Sequence, residues 1–271
     1  MTGFADVELV LLDLDGTVYE GSRPVPGAAA AVASLRRAGL ALRFLTNTDS
    51  VPPATLVERL RGMGVEAAAG EVLTPVALAA RLLGERPGSR VLAVAAPAVR
   101  ELLGGALAGP GERPTHVLVC DPSFGACYDD LDAAFRAVLD GAELVASQVN
   151  RSARRDDGEH LDTGGFVRLL EYAAAVQARV LGKPSPEFFR LALDTAGVAP
   201  AKALVVGDDL AADVAGAQAV GLRGVLVRTG KGTEPSQPAA RPSCPTPSWT
   251  ASPACPRCSA SSRVAGDGPN R

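Results

Sequence analysis

Short apolar segments alternate with helix-forming stretches along most of the chain. Residues 7–12 are almost wholly apolar, and an apolar run of that length predicts a parallel strand buried on both faces. The alanine-rich residues 26–38 are expected to form a helix, because proline stands at their start and glycine follows their end. A second strand is predicted at residues 40–45 and a second helix at residues 53–62. This order predicts a doubly wound parallel sheet with right-handed crossovers.

The same alternation restarts within residues 74–177, which are therefore predicted to form a second α/β domain inserted into the first. Its elements are helices from Pro75, from Pro97 and over 129–139 and 165–176, and strands at 90–94, 116–119 and 143–146. The first domain is expected to comprise residues 1–73 and 178–231. Its second part is predicted to contain helices at 187–196 and 211–220 and strands at 203–206 and 224–227.

The last segment, residues 232–271, has no hydrophobic periodicity and is rich in proline. This composition argues against further strands or helices. We expect either a disordered tail or the product of a shifted reading frame in a GC-rich gene.

Two carboxylates, Asp13 and Asp15, follow the first predicted strand. Side chains two residues apart on a strand project to the same side, so the two groups can converge. They repel each other unless a cation or a shared proton intervenes, and Mg²⁺ is a cation that prefers such oxygen ligands. The alternative is a simple turn, for which Asp15-Gly16 is an ordinary sequence.

Polar residues also follow two other strands predicted for the first domain, and a lysine stands where that domain resumes after the insertion. They are Thr46 and Asn47, Lys183 between Gly182 and Pro184, and Asp208 and Asp209, with Asp213 on the next helix. Each has an ordinary interpretation as a turn residue, a helix cap or a solvated charge. Functional groups of open α/β sheets nevertheless collect at the carboxyl ends of the strands. We therefore expect these side chains to lie near Asp13.

Taken together, these motifs resemble those of the haloacid dehalogenase-like superfamily. The matching elements are Asp13-Leu14-Asp15-Gly16-Thr17, Thr46-Asn47, Gly182-Lys183-Pro184, and Gly207-Asp208-Asp209 with Asp213. The long insertion between the second and third elements is similar to the type IIA cap group. Thr229-Gly230-Lys231 extends the likeness to the subgroup of phospholysine phosphohistidine inorganic pyrophosphate phosphatases and domain-containing-2 hydrolases. The resemblance implies an α/β fold, with a doubly wound, Rossmann-like core and an inserted α/β cap domain.

The resemblance also implies a hydrolase that uses Mg²⁺ to cleave small phosphorylated metabolites through an aspartyl-phosphate. The implied residues are the nucleophile Asp13, the acid-base Asp15, the phosphate ligands Thr46, Asn47 and Lys183, the metal ligands Asp13, Asp15 (carbonyl) and Asp208, and the supporting Asp209 and Asp213. Such chemistry is consistent with the residue types. A metal neutralises phosphoryl charge, lysine adds a point charge, and a carboxyl group can move the proton.

Two other classes of function were weighed. A phosphate-binding or regulatory protein with the same fold and little turnover stays open, although Asp15 and Lys183 argue against it. A dinucleotide-dependent oxidoreductase is disfavoured because the turn after the first strand contains one glycine, Gly16, and lacks the glycine-rich fingerprint.

Bulk properties suggest a cytoplasmic protein, and the resemblance implies that its partner is a small phosphorylated substrate. The net charge of -3 gives no reason to expect nucleic acid or a membrane as a partner, and no signal peptide or membrane span is evident. The resemblance adds a homodimer formed through the cap. Residues 147–158 depart from the family pattern, and Arg151, Arg154 and Arg155 there either meet an anionic substrate or form a solvated run of charge.

Overall fold

The computed structural model describes residues 4–155 and 157–233 and arranges them around two parallel sheets. The strands are β1 (Leu9–Asp13), β2 (Tyr19–Glu20), β3 (Arg23–Pro24), β4 (Ala41–Leu45), β5 (Val72–Leu73), β6 (Val91–Val94), β7 (His116–Val119), β8 (Glu143–Ala146), β9 (Ser152–Arg155), β10 (Gly158–Leu161), β11 (Arg179–Val180), β12 (Ala203–Gly207) and β13 (Arg223–Leu226). The helices are α1 (Ala28–Arg37), α2 (Pro53–Gly62), α3 (Pro75–Gly84), α4 (Pro97–Leu103), α5 (Tyr128–Leu139), α6 (Thr163–Ala174), α7 (Pro186–Ala196) and the short α8 (Gly216–Gln218).

The first sheet has the strand order β13-β12-β1-β4-β5, and every pairing in it is parallel. β1 is buried along its whole length, which explains why its sequence is apolar rather than alternating. Leu9 and Leu11 pack on one side of the sheet with α7, while Val10 and Leu12 pack on the other with α1 and α2. Because β1 is central, the residue at its carboxyl end lies in the middle of the sheet edge.

The second sheet has the order β11-β8-β7-β6, again with parallel pairings. One side of it packs against α5 and α6. Its other side belongs to the same buried apolar cluster as α3, α4 and α7, so the cluster extends from one sheet to the other.

Residues 179 and 180, next to one boundary of the predicted domains, pair with a strand of the second sheet. The sequence division places residues 178–231 in the first domain, yet Arg179–Val180 forms β11 and pairs with β8 of the second sheet. A strand of two residues, of which only Val180 is apolar, is too short for its sequence to show which strand it pairs with. Apart from these residues, the division into residues 1–73 with 178–231 and residues 74–177 stays a prediction.

Several elements were not predicted. The strands β2, β3 and β5 have two residues each, too few to give a pattern, and the β9–β10 hairpin is mainly polar. A π-helical turn, Leu210–Ala215, replaces the start of the helix predicted at 211–220. Among the described helices, none combines the length and apolar character needed to cross a bilayer. The predictions for residues 234–271 lie outside the described part of the chain.

Candidate active site

The carboxyl edge of the first sheet brings three aspartates together. Asp13 ends β1, Asp208 follows β12, and Asp213 lies in the turn after it. One carboxylate oxygen from each lies within 4.8 Å of the others, and all three side chains are buried. The prediction that strand ends would gather these acids agrees with the geometry, because β1 and β12 are hydrogen-bonded neighbours.

Lys183 lies between two of these acids. Its Nζ donates to Asp13 Oδ1 and, at 2.6 Å, to Asp213 Oδ1. Only 5% of Lys183 is exposed, with 7% of Asp13 and 1% of Asp213, so the solvated-lysine interpretation is wrong. The three groups form a buried ion triad in which one ammonium compensates two carboxylates.

The triad shifts the protonation of its members. Burial raises the pKa of Asp13 to about 6, and the neighbouring Asp208 raises it too, while Lys183 opposes both effects. Burial also raises the pKa of Asp213 despite Lys183. Burial lowers the pKa of Lys183, but the two carboxylates outweigh it and raise the pKa overall. Lys183 is therefore a permanent cation, and Asp13 is ionised at neutral pH.

A backbone cradle surrounds the Asp208 carboxylate. Oδ2 accepts a hydrogen bond from the Lys231 amide at 2.7 Å. Gly16 and Gly230 both have positive φ, and a Cβ on either would lie 2.2 or 2.3 Å from Asp208 Oδ2. Thr229 Oγ1 donates to the Gly16 carbonyl at 2.5 Å. These contacts require glycine at both positions, and the hydrogen bond from the Lys231 amide holds one Asp208 oxygen, Oδ2.

Asp209 and Asp213 accept hydrogen bonds from backbone amides of the turn after β12. Asp209 Oδ1 accepts from the amides of Ala211 and Ala212, both at 2.9 Å, and so caps the turn that follows. Burial raises the pKa of Asp209, but these amides and Lys231 outweigh it and lower the pKa overall. Asp213 Oδ2 accepts from the Asp209 amide at 3.0 Å.

Asp15 lies at the open side of the site. Its side chain is exposed, and Oδ1 accepts from the Gly21 amide at 3.2 Å across the β2–β3 turn. Partial burial raises its pKa, although the Gly21 amide, Lys231 and Arg59 act in the other direction. A carboxyl group with a raised pKa at an accessible position can change its protonation state during a reaction.

Thr46 and Asn47 line the loop after β4. Thr46 is buried, and its Oγ1 accepts from the Thr48 amide at 3.0 Å. The Asn47 side chain brackets the backbone of Lys183: Nδ2 donates to the Lys183 carbonyl at 3.0 Å and Oδ1 accepts from its amide at 2.8 Å. This pairing across 136 residues was not predicted, since the sequence suggested phosphate binding by the backbone amide of Asn47 and no role for its side chain. Phosphate binding by Thr46 and Asn47 stays a prediction.

The acid cluster fits a hard divalent cation such as Mg²⁺. Both oxygens of Asp213 accept hydrogen bonds, from Lys183 and from the Asp209 amide. Asp13 and Asp208 therefore remain as the carboxylates with an oxygen outside these bonds, and carboxylate oxygens suit Mg²⁺. They are two of the three predicted metal ligands. The third, the Asp15 carbonyl, stays a prediction.

The sequence reasoning missed two further residues near this edge. Lys231 contributes its amide to Asp208, and its Nζ lies 3.2 Å from Asp209 Oδ2. The only sequence feature that pointed to Lys231 is the family motif Thr229-Gly230-Lys231, which gives it no role.

Asp49, three residues after Thr46, is buried beside the inserted segment. In that segment Arg155 lies 3.7 Å from Asp121, and neither role suggested for the cap arginines is tested.

Comparisons with known proteins agree with these motifs. Residues 10–106 match the family model described as haloacid dehalogenase-like hydrolase, and residues 180–248 match a second model, HAD-hydrolase-like. The chain is 36% identical over 228 residues to phospholysine phosphohistidine inorganic pyrophosphate phosphatase of Rattus norvegicus, covering 82% of this chain and 83% of the relative. It is 38% identical over 230 residues to human haloacid dehalogenase-like hydrolase domain-containing protein 2, covering 83% and 85%.

The chain belongs to the haloacid dehalogenase-like hydrolases.

Solved structures support the same family and fold. A 4-nitrophenylphosphatase from Thermotoga maritima is similar with a TM-score of 0.77 and 25% identity, over 83% of this chain and 87% of that one. The glycerol phosphate phosphatase of Mycobacterium tuberculosis, in complex with magnesium, has a TM-score of 0.73 and 31% identity, over 82% and 67%. The predictions of a haloacid dehalogenase-like phosphatase, of its α/β fold and of a hydrolase acting on phosphoester bonds are thus confirmed.

Proposed function

We propose that this chain is a Mg²⁺-dependent phosphatase that hydrolyses small phosphorylated metabolites through an aspartyl-phosphate on Asp13. The observation that carries the proposal is the buried triad of Asp13, Lys183 and Asp213 beside Asp208. A triad with only a structural task has no need of a further buried acid next to it. Asp208 adds repulsion that a bound cation would relieve.

Asp13 is suited to attack a phosphoryl group. With a pKa of about 6 it is ionised at neutral pH, and the hydrogen bond from Lys183 to Oδ1 keeps the carboxylate in place for attack. Lys183 also adds positive charge where the negatively charged phosphoryl group must approach.

Asp13 and Asp208 would hold the metal ion. When bound, Mg²⁺ supplies the positive charge that lets an anionic carboxylate meet an anionic phosphate. The Gly16–Gly230 cradle and the Lys231 amide keep Asp208 in place for this task.

Asp15 would donate a proton to the leaving oxygen and then accept one from the water that hydrolyses the aspartyl-phosphate. Its exposure and its raised pKa favour both steps.

The hydroxyl group of Thr46 and the backbone amide of Asn47 are the proposed hydrogen-bond donors to the phosphate. A small phosphorylated substrate is expected from the similarity to phosphatases of this family. A homodimer through this segment, a cytoplasmic location and the absence of nucleic-acid and membrane partners remain predictions.

The test is hydrolysis of 4-nitrophenyl phosphate and a panel of phosphorylated metabolites, with pyrophosphate and phosphoamino acids included. Asp13→Asn should abolish turnover, while the variant should still unfold in a single cooperative transition. Asp194 is an exposed acid on α7, and Asp194→Asn should leave turnover unchanged. Removing Mg²⁺ with a chelator should stop the reaction and adding it back should restore it. Acid quenching should trap one phosphoryl group on the peptide that contains Asp13.

Two results would contradict the proposal. Full turnover by Asp13→Asn would remove the nucleophile assignment. Tight binding of phosphate compounds without turnover by the unaltered chain would favour the non-catalytic, phosphate-binding alternative.

A further inference from the structure

Asp49 connects the loop after β4 to the inserted segment. Only 3% of its surface is exposed. Its Oδ2 accepts from Thr163 Oγ1 at 2.9 Å and is hydrogen-bonded to Ser147 Oγ. Thr163 is the first residue of α6, and Ser147 directly follows β8. One carboxyl oxygen beside the first sheet thus holds two elements of the second, and we call Asp49, Ser147 and Thr163 the clamp.

The clamp is continuous with the backbone that carries Lys183. The Ser147 carbonyl accepts from the Gly182 amide at 2.7 Å, and the next residue, Lys183, is bracketed by the Asn47 side chain. A Cβ on Gly182 would lie 2.6 Å from Asn47 Oδ1 and 2.7 Å from the Ser147 carbonyl. The three loops are in such close contact that displacing Ser147 also displaces Lys183 or breaks these bonds.

The hydrogen count at Ser147 favours a neutral Asp49. Ser147 Oγ lies 3.0 Å from the Val119 carbonyl and also within bonding distance of Asp49 Oδ2, yet a hydroxyl has one hydrogen. A protonated Asp49 can donate to Ser147, which then donates to Val119. An ionised Asp49 must take the hydrogen of Ser147 for itself.

The surroundings of Asp49 favour the same form. Burial raises its pKa to about 7, and Asp162 at the start of α6 and Asp121 after β7 raise it further, while the bonds from Ser147 and Thr163 lower it. The adjacent Cys120 thiol is buried as well, and its pKa is raised by that burial and by Asp49. Burial and the two facing acids, Asp162 and Asp121, therefore disfavour a charge on Asp49.

We propose that Asp49 is a positioning residue for the phosphatase reaction, and that its carboxyl group holds the inserted segment against the loops that carry Thr46 and Lys183. This rests on the function proposed above. Asp49 does not touch the reacting atoms, and it acts through Ser147, Gly182 and Asn47. A displacement of about 1 Å at reacting groups can cost about 100-fold in rate, so a lost clamp should be visible in kinetics.

The protonation of Asp49 gives the clamp a pH signature. Its pKa in the folded chain, about 7, is above the ordinary 3.8, so the folded chain keeps a proton that the unfolded chain has already lost. Asp49 therefore contributes a fall in the free energy of unfolding as pH rises from about 4 to about 7, and no further change above that range. Asp49→Asn cannot ionise and should remove this contribution.

The experiment compares Asp49→Ala, which removes the clamp, with Asp49→Asn, which keeps its shape and can donate to Ser147. Ser147→Ala removes a partner from the other side. The matched control is Glu171→Gln, a buried acid of α6 that bonds to Arg168 and the Ala178 amide and not to the clamp. For each variant, kcat and KM for 4-nitrophenyl phosphate are measured from pH 5 to pH 9, together with hydrogen exchange of residues 147–150 and 163–170.

We expect Asp49→Ala and Ser147→Ala to lower kcat/KM by about 10-fold or more, and Asp49→Asn to stay within about 3-fold of the unaltered chain. The loss of kcat/KM in a variant that combines Asp49→Ala with Ser147→Ala should not exceed the loss in Asp49→Ala alone, because both changes remove the same hydrogen bond. Exchange should accelerate in Asp49→Ala and not in Glu171→Gln. If Asp49→Ala fails to fold, Ser147→Ala and Asp49→Asn carry the comparison.

Two results would overturn the proposal. One is a folded Asp49→Ala with unchanged kcat/KM and unchanged exchange, and the other is an equal loss in Glu171→Gln. If the unaltered chain hydrolyses none of the phosphates, the proposed function fails on its own. Hydrogen exchange then decides the clamp: acceleration in Asp49→Ala would support it and unchanged exchange would refute it.

Discussion

Replacing Lys183 by methionine tests the buried triad most directly. Methionine has nearly the length of lysine and fills the same space without charge. The substitution leaves Asp13 and Asp213 facing each other with no cation between them. The expected effects are a less stable chain and a nucleophile that is harder to ionise.

The distances set the size of the effect. At an effective dielectric constant of about 20, unit charges at the 2.6 Å that separates Lys183 from Asp213 attract by about 6 kcal/mol. The cost of burying the ions offsets part of this attraction, and removing one partner of a buried pair typically costs about 3–5 kcal/mol. We expect Lys183→Met to lose about that much unfolding free energy at pH 8. The loss should be smaller at pH 5, because the carboxyl groups can relieve their repulsion by taking up protons.

The pKa of Asp13 should respond in the same variant. In the unaltered chain Lys183 opposes the rise in pKa caused by burial, so without Lys183 the pKa of Asp13 should move above 6 and a larger fraction of Asp13 should be protonated at neutral pH. Hydrolysis of 4-nitrophenyl phosphate should fall by at least about 100-fold at pH 7, since each unit of pKa shift costs about 1.4 kcal/mol and charge at the phosphate is lost as well. The acid limb of the pH profile should move to higher pH.

Urea unfolding and kinetics from pH 5 to pH 9 measure both effects. Lys202→Met is the matched control, because Lys202 pairs with Glu8 at an exposed site and its removal should change neither quantity appreciably. A Lys183→Met chain that is as stable at pH 8 as at pH 5, with an unmoved acid limb, would refute the electrostatic account of the triad.

Three further outcomes are expected at the same sheet edge. Without Mg²⁺, the carboxyl group of Asp13 should titrate near pH 6 in an NMR titration, and Mg²⁺ should lower that pH because a nearby cation favours the carboxylate; a carboxyl group that stays ionised down to pH 4 without Mg²⁺ would contradict the account of Asp13. Gly230→Ala should weaken Mg²⁺ binding measured by calorimetry, because the new Cβ would lie 2.3 Å from Asp208 Oδ2. The control is Gly64→Ala, a position with positive φ but no neighbour within 4 Å. It should cost only about 1 kcal/mol of unfolding free energy and leave Mg²⁺ binding unchanged. Asp15→Asn should slow hydrolysis of alkyl phosphates more than that of 4-nitrophenyl phosphate, since a poor leaving group depends more on protonation; equal losses would argue against Asp15 as the acid.

The placement of the acids was predictable because a parallel sheet puts strand ends at one edge. β1 and β12 carry apolar runs that end in aspartate, and Asp13 and Asp208 meet as expected. Lys183 follows the short β11 of the second sheet, so strand periodicity did not show its position. Its assignment came from the family motif, and its burial between Asp13 and Asp213 emerged only from the structure.

Close backbone approaches were not predictable in this way. Gly16 and Gly230 are two of 29 glycines, and nothing in the sequence marks these two as the pair that meets over Asp208. The β9–β10 hairpin was missed for a related reason, because its residues are mainly polar and lack the apolar alternation that marks a half-buried strand.

Asp49 illustrates a third limit, that of a buried charge whose partners lie far along the chain. Next to Thr46 and Asn47, an aspartate suggests a turn residue, and its partners Ser147 and Thr163 are 98 and 114 residues away. An acid in such a place destabilises the chain when ionised, so its retention calls for a compensating task. The hydrogen bonds from two elements of the inserted segment provide that task, because they join the segment to the loop that brackets Lys183. The position of Lys183 therefore depends on contacts from both sheets, and we expect changes in the packing of the second sheet to reach the edge of the first.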